Sequence, residues 1–181
     1  MEAVKLAGLE PKAVFGYFEK ICSIPHGSRN TKAISDYLVS FAREHDLQYI
    51  QDKDNNVILF GEGTCGMEDH APVILQGHMD MVCEKDADCP LDMAVDGLDV
   101  THDGRCVYAR GTTLGGDNGI AVAYALALLA EVTDGETRQR RCGDLQTEAH
   151  RFLPVQHSDP QRFFSAYRLH RTRSSGGVRS E

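Results

Sequence analysis

The segment that most restricts the fold is residues 120–132, which read IAVAYALALLAEV and carry almost no polar face. Alanine and leucine favour the helical conformation, so the segment predicts an α-helix. A helix that is apolar nearly all round has to be buried on most sides, which in a small protein means packing against a β-sheet. The segment is also well short of the roughly 20 residues that cross a bilayer.

A second constraint comes from residues 72–82, PVILQGHMDMV, which begin as a continuous apolar run and turn polar toward the end. Such a run is typical of a strand buried on both faces. In α/β folds, ligands bind at the carboxyl ends of such strands. The polar end of this predicted strand therefore indicates a site.

The rest of the first 136 residues supplies elements that fit around this strand and helix. Apolar residues recur at helical spacing twice, β-rich runs flank a polar connection, and an Asp-Gly pair marks a second hairpin turn. The predicted elements are helices at residues 11–22 and from Asn30 or Thr31 to about Asp46, a hairpin at 48–51 and 56–60, and a hairpin at 98–101 and 105–109. Together they predict an α/β sandwich, with a mixed sheet and packed helices.

The charge distribution breaks near residue 136. Residues 1–136 hold 10 basic and 23 acidic residues, whereas residues 137–181 hold nine arginines, no lysine and four acidic residues. The second stretch also shows no sustained apolar periodicity. We therefore expect one domain over residues 1–136, and a basic tail of disordered or unrelated sequence over 137–181 that contributes no strand to the sheet. Part of the helix at 120–132 should then stay exposed.

Composition excludes several classes of protein. The net charge of −8 argues against nucleic acid as a partner of the whole chain, and no basic-then-apolar leader or membrane span is present in the sequence. Six cysteines without a CxxC pair indicate reduced thiols and a cytoplasmic location. An alternative function stays open, in which the Arg-rich tail binds a partner or an anionic polymer, with Phe163, Phe164 and Tyr167 as stacking groups.

His78 and Asp80 are the sharpest local signal. They stand two residues apart, so on a strand both side chains leave the same face. A histidine oriented by a neighbouring carboxylate is typical of a metal ligand, although a hydrogen-bonded structural histidine would look the same.

Asp117 follows Gly111, Gly115 and Gly116 and stands just before the predicted helix. One interpretation is purely structural, with Asp117 as the N-cap of the helix. However, so many glycines are entropically costly to order, which favours a loop whose backbone must approach something closely. A carboxylate held on such a loop can bridge two cations.

Other candidate motifs fail. The glycine loop lacks the spacing of a phosphate or dinucleotide loop, and the residues after Asp52 lack the glycine and glutamate of an EF-hand. Cys83 and Cys89 are too weak a pattern for structural zinc. His26, in a Pro-His-Gly-Ser loop, is either a substrate contact or an ordinary loop histidine.

Residues 76–82 (QGHMDMV) and 110–123 (RGTTLGGDNGIAVA) resemble the two metal-site motifs of the aminoacyl-histidine dipeptidases, zinc-dependent cytosolic enzymes of the M20 peptidase family. The resemblance covers roughly residues 8–135 and extends more loosely to the loop at 24–28. It implies that His78 binds one metal, that Asp80 is the catalytic carboxylate orienting it, and that Asp117 bridges two Zn²⁺ ions. It also implies a cis peptide bond after Asp117.

The same resemblance implies what the chain lacks. The family's general base and next ligand form a Glu-Glu pair, followed by an Asp, a distant His and a dimerisation domain, and the sequence after residue 136 matches none of these motifs. We therefore expect a partial metallopeptidase catalytic domain, similar to enzymes that hydrolyse Xaa-His dipeptides, with at most one weakly bound Zn²⁺ and little or no activity alone.

Overall fold

A computed structural model describes residues 6, 8–63 and 69–133 together with the backbone strand at 163–169. Three helices and six strands lie in these ranges. In chain order they are α1 (Lys12–Cys22), α2 (Lys32–Glu44), β1 (Gln48–Gln51), β2 (Val57–Glu62), β3 (Leu75–His78), β4 (Val100–His102), β5 (Val107–Ala109), α3 (Gly116–Thr133) and β6 (Phe163–Leu169).

The first two helices confirm the apolar spacing seen in the sequence. In α1, Val14, Phe18 and Ile21 form a buried stripe, and Pro11 stands just before the first helical residue, where its missing N–H costs nothing. In α2 the buried stripe includes Leu38 and Phe41. The two helices meet where the Phe41 ring stacks edge-on against Tyr17, with ring centroids 5.5 Å apart.

The two predicted hairpins are also present. β1 and β2 pair antiparallel across a turn in which the Asp52 carboxylate accepts hydrogen bonds from the amides of Asp54 and Asn56. These bonds explain the acidic cluster there as turn chemistry rather than as a calcium loop. The second hairpin joins β4 to β5 through the predicted Asp103-Gly104 turn, where Gly104 has a φ of 86°.

The main sheet has the strand order β1-β2-β6-β3, and β6 runs parallel to β2 but antiparallel to β3. The sheet is therefore mixed, as predicted. The expectation that residues 137–181 contribute no strand is wrong over β6, because its backbone pairs with strands on both sides. The expected tail over 137–162 and 170–181 lies outside the described residues, and the domain boundary at 136 stays a prediction.

The strand predicted at residues 72–82 is shorter and less buried than expected. β3 comprises only Leu75–His78, and the preceding Val73 and Ile74 are 57% and 50% exposed. The physical reason is the position of β3 at the edge of the sheet, where β6 is its one neighbour among the described strands. The apolar run at the start of residues 72–82 thus correctly predicts a strand, but its predicted burial on both faces is wrong.

Helices α2 and α3 pack against the sheet, whose residues Val57, Leu59 and Gly61 are buried, and α1 packs against α3. α3 lies close to the sheet at Gly61, where an added Cβ would stand 2.9 Å from Leu129 Cδ2. As expected, part of α3 is exposed, at Tyr124 and Leu128. Among the described helices, none combines the length and apolar character needed to span a bilayer.

Candidate metal site

The site forms where β3 ends. His78 is the last residue of β3 and is half-buried, and the chain then turns so that its ring faces the backbone of Asp80. His78 Nδ1 lies 2.9 Å from the Asp80 carbonyl oxygen and 3.3 Å from Asp80 Oδ1. Both oxygens are acceptors, so the ring proton belongs on Nδ1 and the Nε2 lone pair is directed away from Asp80.

Asp80 lies behind the histidine and is almost completely buried, with only 3% of its surface exposed. Its Oδ2 accepts a hydrogen bond of 2.6 Å from the Ser28 hydroxyl. A buried carboxylate requires such donors, because an ion without hydrogen bonds is costly to remove from water. The burial and the contact with Nδ1 fit the predicted role of Asp80 in orienting His78.

The glycine-rich loop brings Asp117 to the same place. Gly115 has a φ of 71°, and a Cβ added to it would stand 2.8 Å from Met81 Sδ and 3.1 Å from Met81 Cβ. Thr113 ties the loop to the segment that follows β3: its hydroxyl donates to the Val82 carbonyl, 2.7 Å away. The loop backbone thus approaches Met81 closely at Gly115, as predicted, because a side chain at this position would push the loop away from Met81.

Asp117 starts α3 in a non-helical conformation, and the peptide bond to Asn118 is cis, as the resemblance implied. Its side chain is 94% exposed, and its Oδ1 lies 3.2 Å from His78 Nε2. Among the described residues, the Asp117 carboxylate accepts no hydrogen bond from an amide of α3. The helix-cap interpretation is therefore not supported, whereas the predicted convergence of His78 and Asp117 is present.

The contact between His78 Nε2 and Asp117 Oδ1 requires a positive charge. With the ring proton on Nδ1, both atoms present lone pairs, and two acceptors 3.2 Å apart repel each other unless a proton or a metal ion lies between them. Two ligands of one tetrahedral zinc ion stand about 3.4 Å apart, given bonds of about 2.0–2.2 Å. A nitrogen and a carboxylate oxygen at this separation fit a zinc ion.

The fit is partial. A stable zinc site takes three or four protein ligands, and within the described ranges no group of three or more His, Cys, Asp or Glu side chains is arranged to hold a metal. Asp80 contacts the histidine from the opposite side of the ring and is not aimed at the same point. Within the described ranges, His78 and Asp117 would thus supply only two of the ligands that a zinc ion needs.

From the sequence alone, His26 could be either a substrate contact or an ordinary loop histidine. In the structure it lies beneath the glycine-rich loop. It is buried, and its Nδ1 is 2.5 Å from the Ile24 carbonyl oxygen. Burial lowers the pKa of His26, although the Ile24 hydrogen bond and the nearby Asp80 charge oppose this. Its Nε2 is 3.4 Å from the position of a Cβ on Gly115. The ring thus helps to support the loop that carries Asp117.

The hydrogen bond between Ser28 and Asp80 was not predicted from the sequence. The only signal for it was the loose resemblance at residues 24–28, and nothing in the spacing connects Ser28 with Asp80, 52 positions later. Cys83 and Cys89, which were set aside as zinc ligands, are free thiols.

Comparison with known proteins supports the resemblance. No protein-family model matches the chain. The cytosol non-specific dipeptidase of Escherichia coli K12 is 42% identical over 127 residues, which cover 70% of this chain and 26% of that protein. The crystal structure of aminoacylhistidine dipeptidase from Vibrio alginolyticus superimposes with a TM-score of 0.69 at 31% identity, covering 94% of this chain and 30% of that one.

The chain thus spans between a quarter and a third of the length of these relatives. The shared segment includes the two motifs, and the mixed sheet with its packed helices is the same fold over that length. The sequence, the fold and the relatives together relate this chain to the M20-type dipeptidases, as the N-terminal part of their α/β catalytic domain.

Proposed function

We propose that this chain carries part of the metal site of a peptide-bond hydrolase, in which His78 is a ligand of one Zn²⁺ and Asp117 bridges two. The observation that carries the proposal is the 3.2 Å contact between His78 Nε2 and Asp117 Oδ1, two atoms that need a proton or a metal ion between them and whose separation fits two ligands of one zinc ion. The relationship to dipeptidases supports the same conclusion.

The described residues have distinct tasks in such a site. Asp80 keeps the ring proton on Nδ1 of His78, and it also makes the imidazole a stronger electron donor. The Asp117 side chain is 94% exposed, so its second oxygen is accessible to a second metal ion. When bound, the metal ions would polarise the scissile carbonyl and stabilise the oxyanion.

The proposed substrate class is the dipeptide, with a carboxyl-terminal histidine as the more specific candidate. The two relatives are named as a non-specific dipeptidase and an aminoacylhistidine dipeptidase, so both names agree on the dipeptide and only one on histidine. The word "cytosol" in the first name supports the proposed cytoplasmic location.

We further propose that the chain alone has little or no activity. It spans a quarter to a third of its relatives, and its sequence after residue 136 has no adjacent acidic pair to serve as general base. Loss of a positioned general base typically lowers a rate by about 10²- to 10⁴-fold, and an incomplete second metal site would lower it further.

Metal binding is tested by calorimetric titration of the chain with Zn²⁺. The matched variants are His78→Ala and His70→Ala, the second removing an exposed histidine. We expect binding in the micromolar range or weaker, abolished in His78→Ala and unchanged in His70→Ala. Binding that survives in His78→Ala would refute the site, and nanomolar binding lost in His78→Ala would refute its incompleteness.

Activity is tested by hydrolysis of Xaa-His dipeptides in the presence of Zn²⁺, with Asp117→Ala as the control. We expect equal rates for the two proteins. Zinc-dependent turnover clearly above the control would show that another group of the chain supplies the base.

The alternative, binding of a partner or anionic polymer through the basic tail, is less well supported. β6 takes residues 163–169, including the three proposed stacking residues, into a strand paired on both sides. Replacing Arg138, Arg140 and Arg141 by Gln discriminates the two functions, because it leaves β6 intact. Loss of polyanion binding in that variant, with no effect of His78→Ala, would favour the alternative.

A further inference from the structure

Ser28 makes a short contact with the buried carboxylate that orients His78. Its hydroxyl is 2.6 Å from Asp80 Oδ2, a length typical of a hydroxyl that donates to an ionised carboxylate. A second acceptor, the Met81 carbonyl oxygen, lies 3.4 Å away and is too distant to compete. The hydroxyl proton is therefore directed at Asp80.

The backbone around Ser28 is fixed to the segment that follows β3. The Met81 amide donates to the His26 carbonyl at 3.1 Å, and the Ser28 amide donates to the Met81 carbonyl at 3.0 Å. These two bonds form a parallel bridge between Gly27 and Met81. Ser28 is thus held at a fixed position relative to Asp80, the residue immediately before Met81.

The bridge also depends on the absence of a side chain at Gly27. A Cβ there would stand 2.6 Å from Cys83 Sγ, so any larger residue would displace the loop or the thiol. The loop at 26–28 therefore lies directly against the segment that follows β3.

Ser28 itself is exposed and lines an open groove of about 700 Å³, together with Cys83, Lys85 and Met93 among others. Its side chain contributes no buried apolar surface to the core. Replacing it would leave no core cavity, so the effect of removing the hydroxyl can be attributed to the hydrogen bond with Asp80.

We propose that Ser28 is a positioning residue of the metal site, which fixes the Asp80 carboxylate and through it holds the His78 ring with Nε2 directed at Asp117. Ser28 bonds Oδ2, which leaves Oδ1 of the same carboxylate to face His78 Nδ1 at 3.3 Å. Without the hydroxyl the carboxylate loses one of the contacts that fix its orientation, and the ring loses part of the constraint on its proton. The orientation of the ring is a feature of the fold, whereas its use in metal binding rests on the proposed function.

The first experiment measures the His78 ring in the full chain without metal. Long-range ¹⁵N–¹H NMR spectra in alkaline buffer, where imidazoles are neutral, report which ring nitrogen carries the proton. The variants are Ser28→Ala, Ser28→Thr, which keeps a hydroxyl, and Ser23→Ala, a matched control whose hydroxyl is also bonded at 2.6 Å, to the Lys20 carbonyl.

We expect the Nδ1–H form in the wild-type chain, in Ser28→Thr and in Ser23→Ala, and a mixture of the two ring forms in Ser28→Ala. If Ser28 had a purely structural role, Ser28→Ala would fold with the His78 ring proton still on Nδ1. Circular dichroism checks that each variant is folded. The same Nδ1–H spectrum in Ser28→Ala as in the wild type would overturn the proposal.

The second experiment titrates the same four proteins with Co²⁺ and follows its visible absorption. Removal of a group that orients a ligand typically weakens metal affinity by about 10- to 100-fold, and Ser28 acts one hydrogen bond further out, so we expect about 3- to 10-fold in Ser28→Ala. Ser28→Thr should restore the affinity. If the wild-type chain binds no Co²⁺, the proposed function fails, while the NMR comparison still decides the role of Ser28.

Discussion

Replacing Gly115 by alanine should destabilise the chain strongly, because the glycine-rich loop approaches residues 81–82 through this position. Gly115 has a φ of 71°, in the left-handed region that residues with a Cβ avoid. The added Cβ would also stand 2.8 Å from Met81 Sδ and 3.1 Å from Met81 Cβ. The sulfur can move with its flexible side chain, but Met81 Cβ is attached to the backbone.

Two terms give the magnitude. A left-handed conformation costs about 1–2 kcal/mol for a residue with a Cβ. Inserting a methyl group into a packed contact typically costs about 1–3 kcal/mol more, because backbone atoms must shift. We therefore expect Gly115→Ala to lower the free energy of unfolding by about 2–5 kcal/mol, a large fraction of the stability of a small domain.

Gly16→Ala is the matched control. Gly16 lies inside α1, and a Cβ there would meet nothing within 4 Å. Alanine is favoured over glycine in a helix interior, so Gly16→Ala should raise the free energy of unfolding by about 0.5–1 kcal/mol. Urea denaturation followed by circular dichroism measures both variants. If Gly115→Ala is as stable as the wild type, the loop does not lie against Met81, and the geometry derived for Asp117 is wrong.

Three further predictions follow from the fold and the buried groups. Deleting residues 137–181 should lower the melting temperature and increase binding of a hydrophobic dye, because β6 separates β2 from β3; an unchanged melting temperature would contradict that pairing. Burial raises the pKa of the Cys22 thiol to about 12, so Cys22 should resist alkylation until the chain unfolds. The exposed Cys106 should be alkylated in the folded chain, and mass spectrometry of the labelled peptides distinguishes the two cysteines. Burial lowers the pKa of His26, so the folded chain binds fewer protons there than the unfolded chain, and stability should fall as the pH drops below about 6.5. His26→Gln should flatten this pH dependence of the melting temperature, and an unaltered profile would show that His26 does not contribute.

The elements predicted correctly from the sequence are those whose signals are local. Helices α1 and α2 are defined by apolar stripes within 13 residues or fewer, and both hairpins by polar or Asp-Gly turns between short β-rich runs. In each case the residues that determine the conformation are also the ones that adopt it. No knowledge of distant parts of the chain is needed.

The errors concern the neighbours of strands, which are not a local property. Val73 and Ile74 have the composition of a buried strand, yet their burial depends on what lies beside and above them, and β3 is an edge strand. For β6 the error was one of averaging. Its sequence FFSAYRL contains three aromatic residues and has high β-propensity, but the high arginine content of residues 137–181 as a whole obscures this local pattern.

The candidate site shows the same division. His78 and Asp80 are two residues apart, and Asp117 follows a glycine cluster whose entropic cost signals a close backbone approach, so each could be selected from its own surroundings. The contact between Ser28 and Asp80 depends on the pairing of residues 26–28 with Met81, which spans more than 50 positions. The residues proposed as metal ligands can thus be identified from their local sequence, whereas the hydrogen bond between Ser28 and Asp80 arises from the tertiary fold. Substitutions in the loop at 24–28 should therefore alter the proposed metal site while leaving both sequence motifs unchanged.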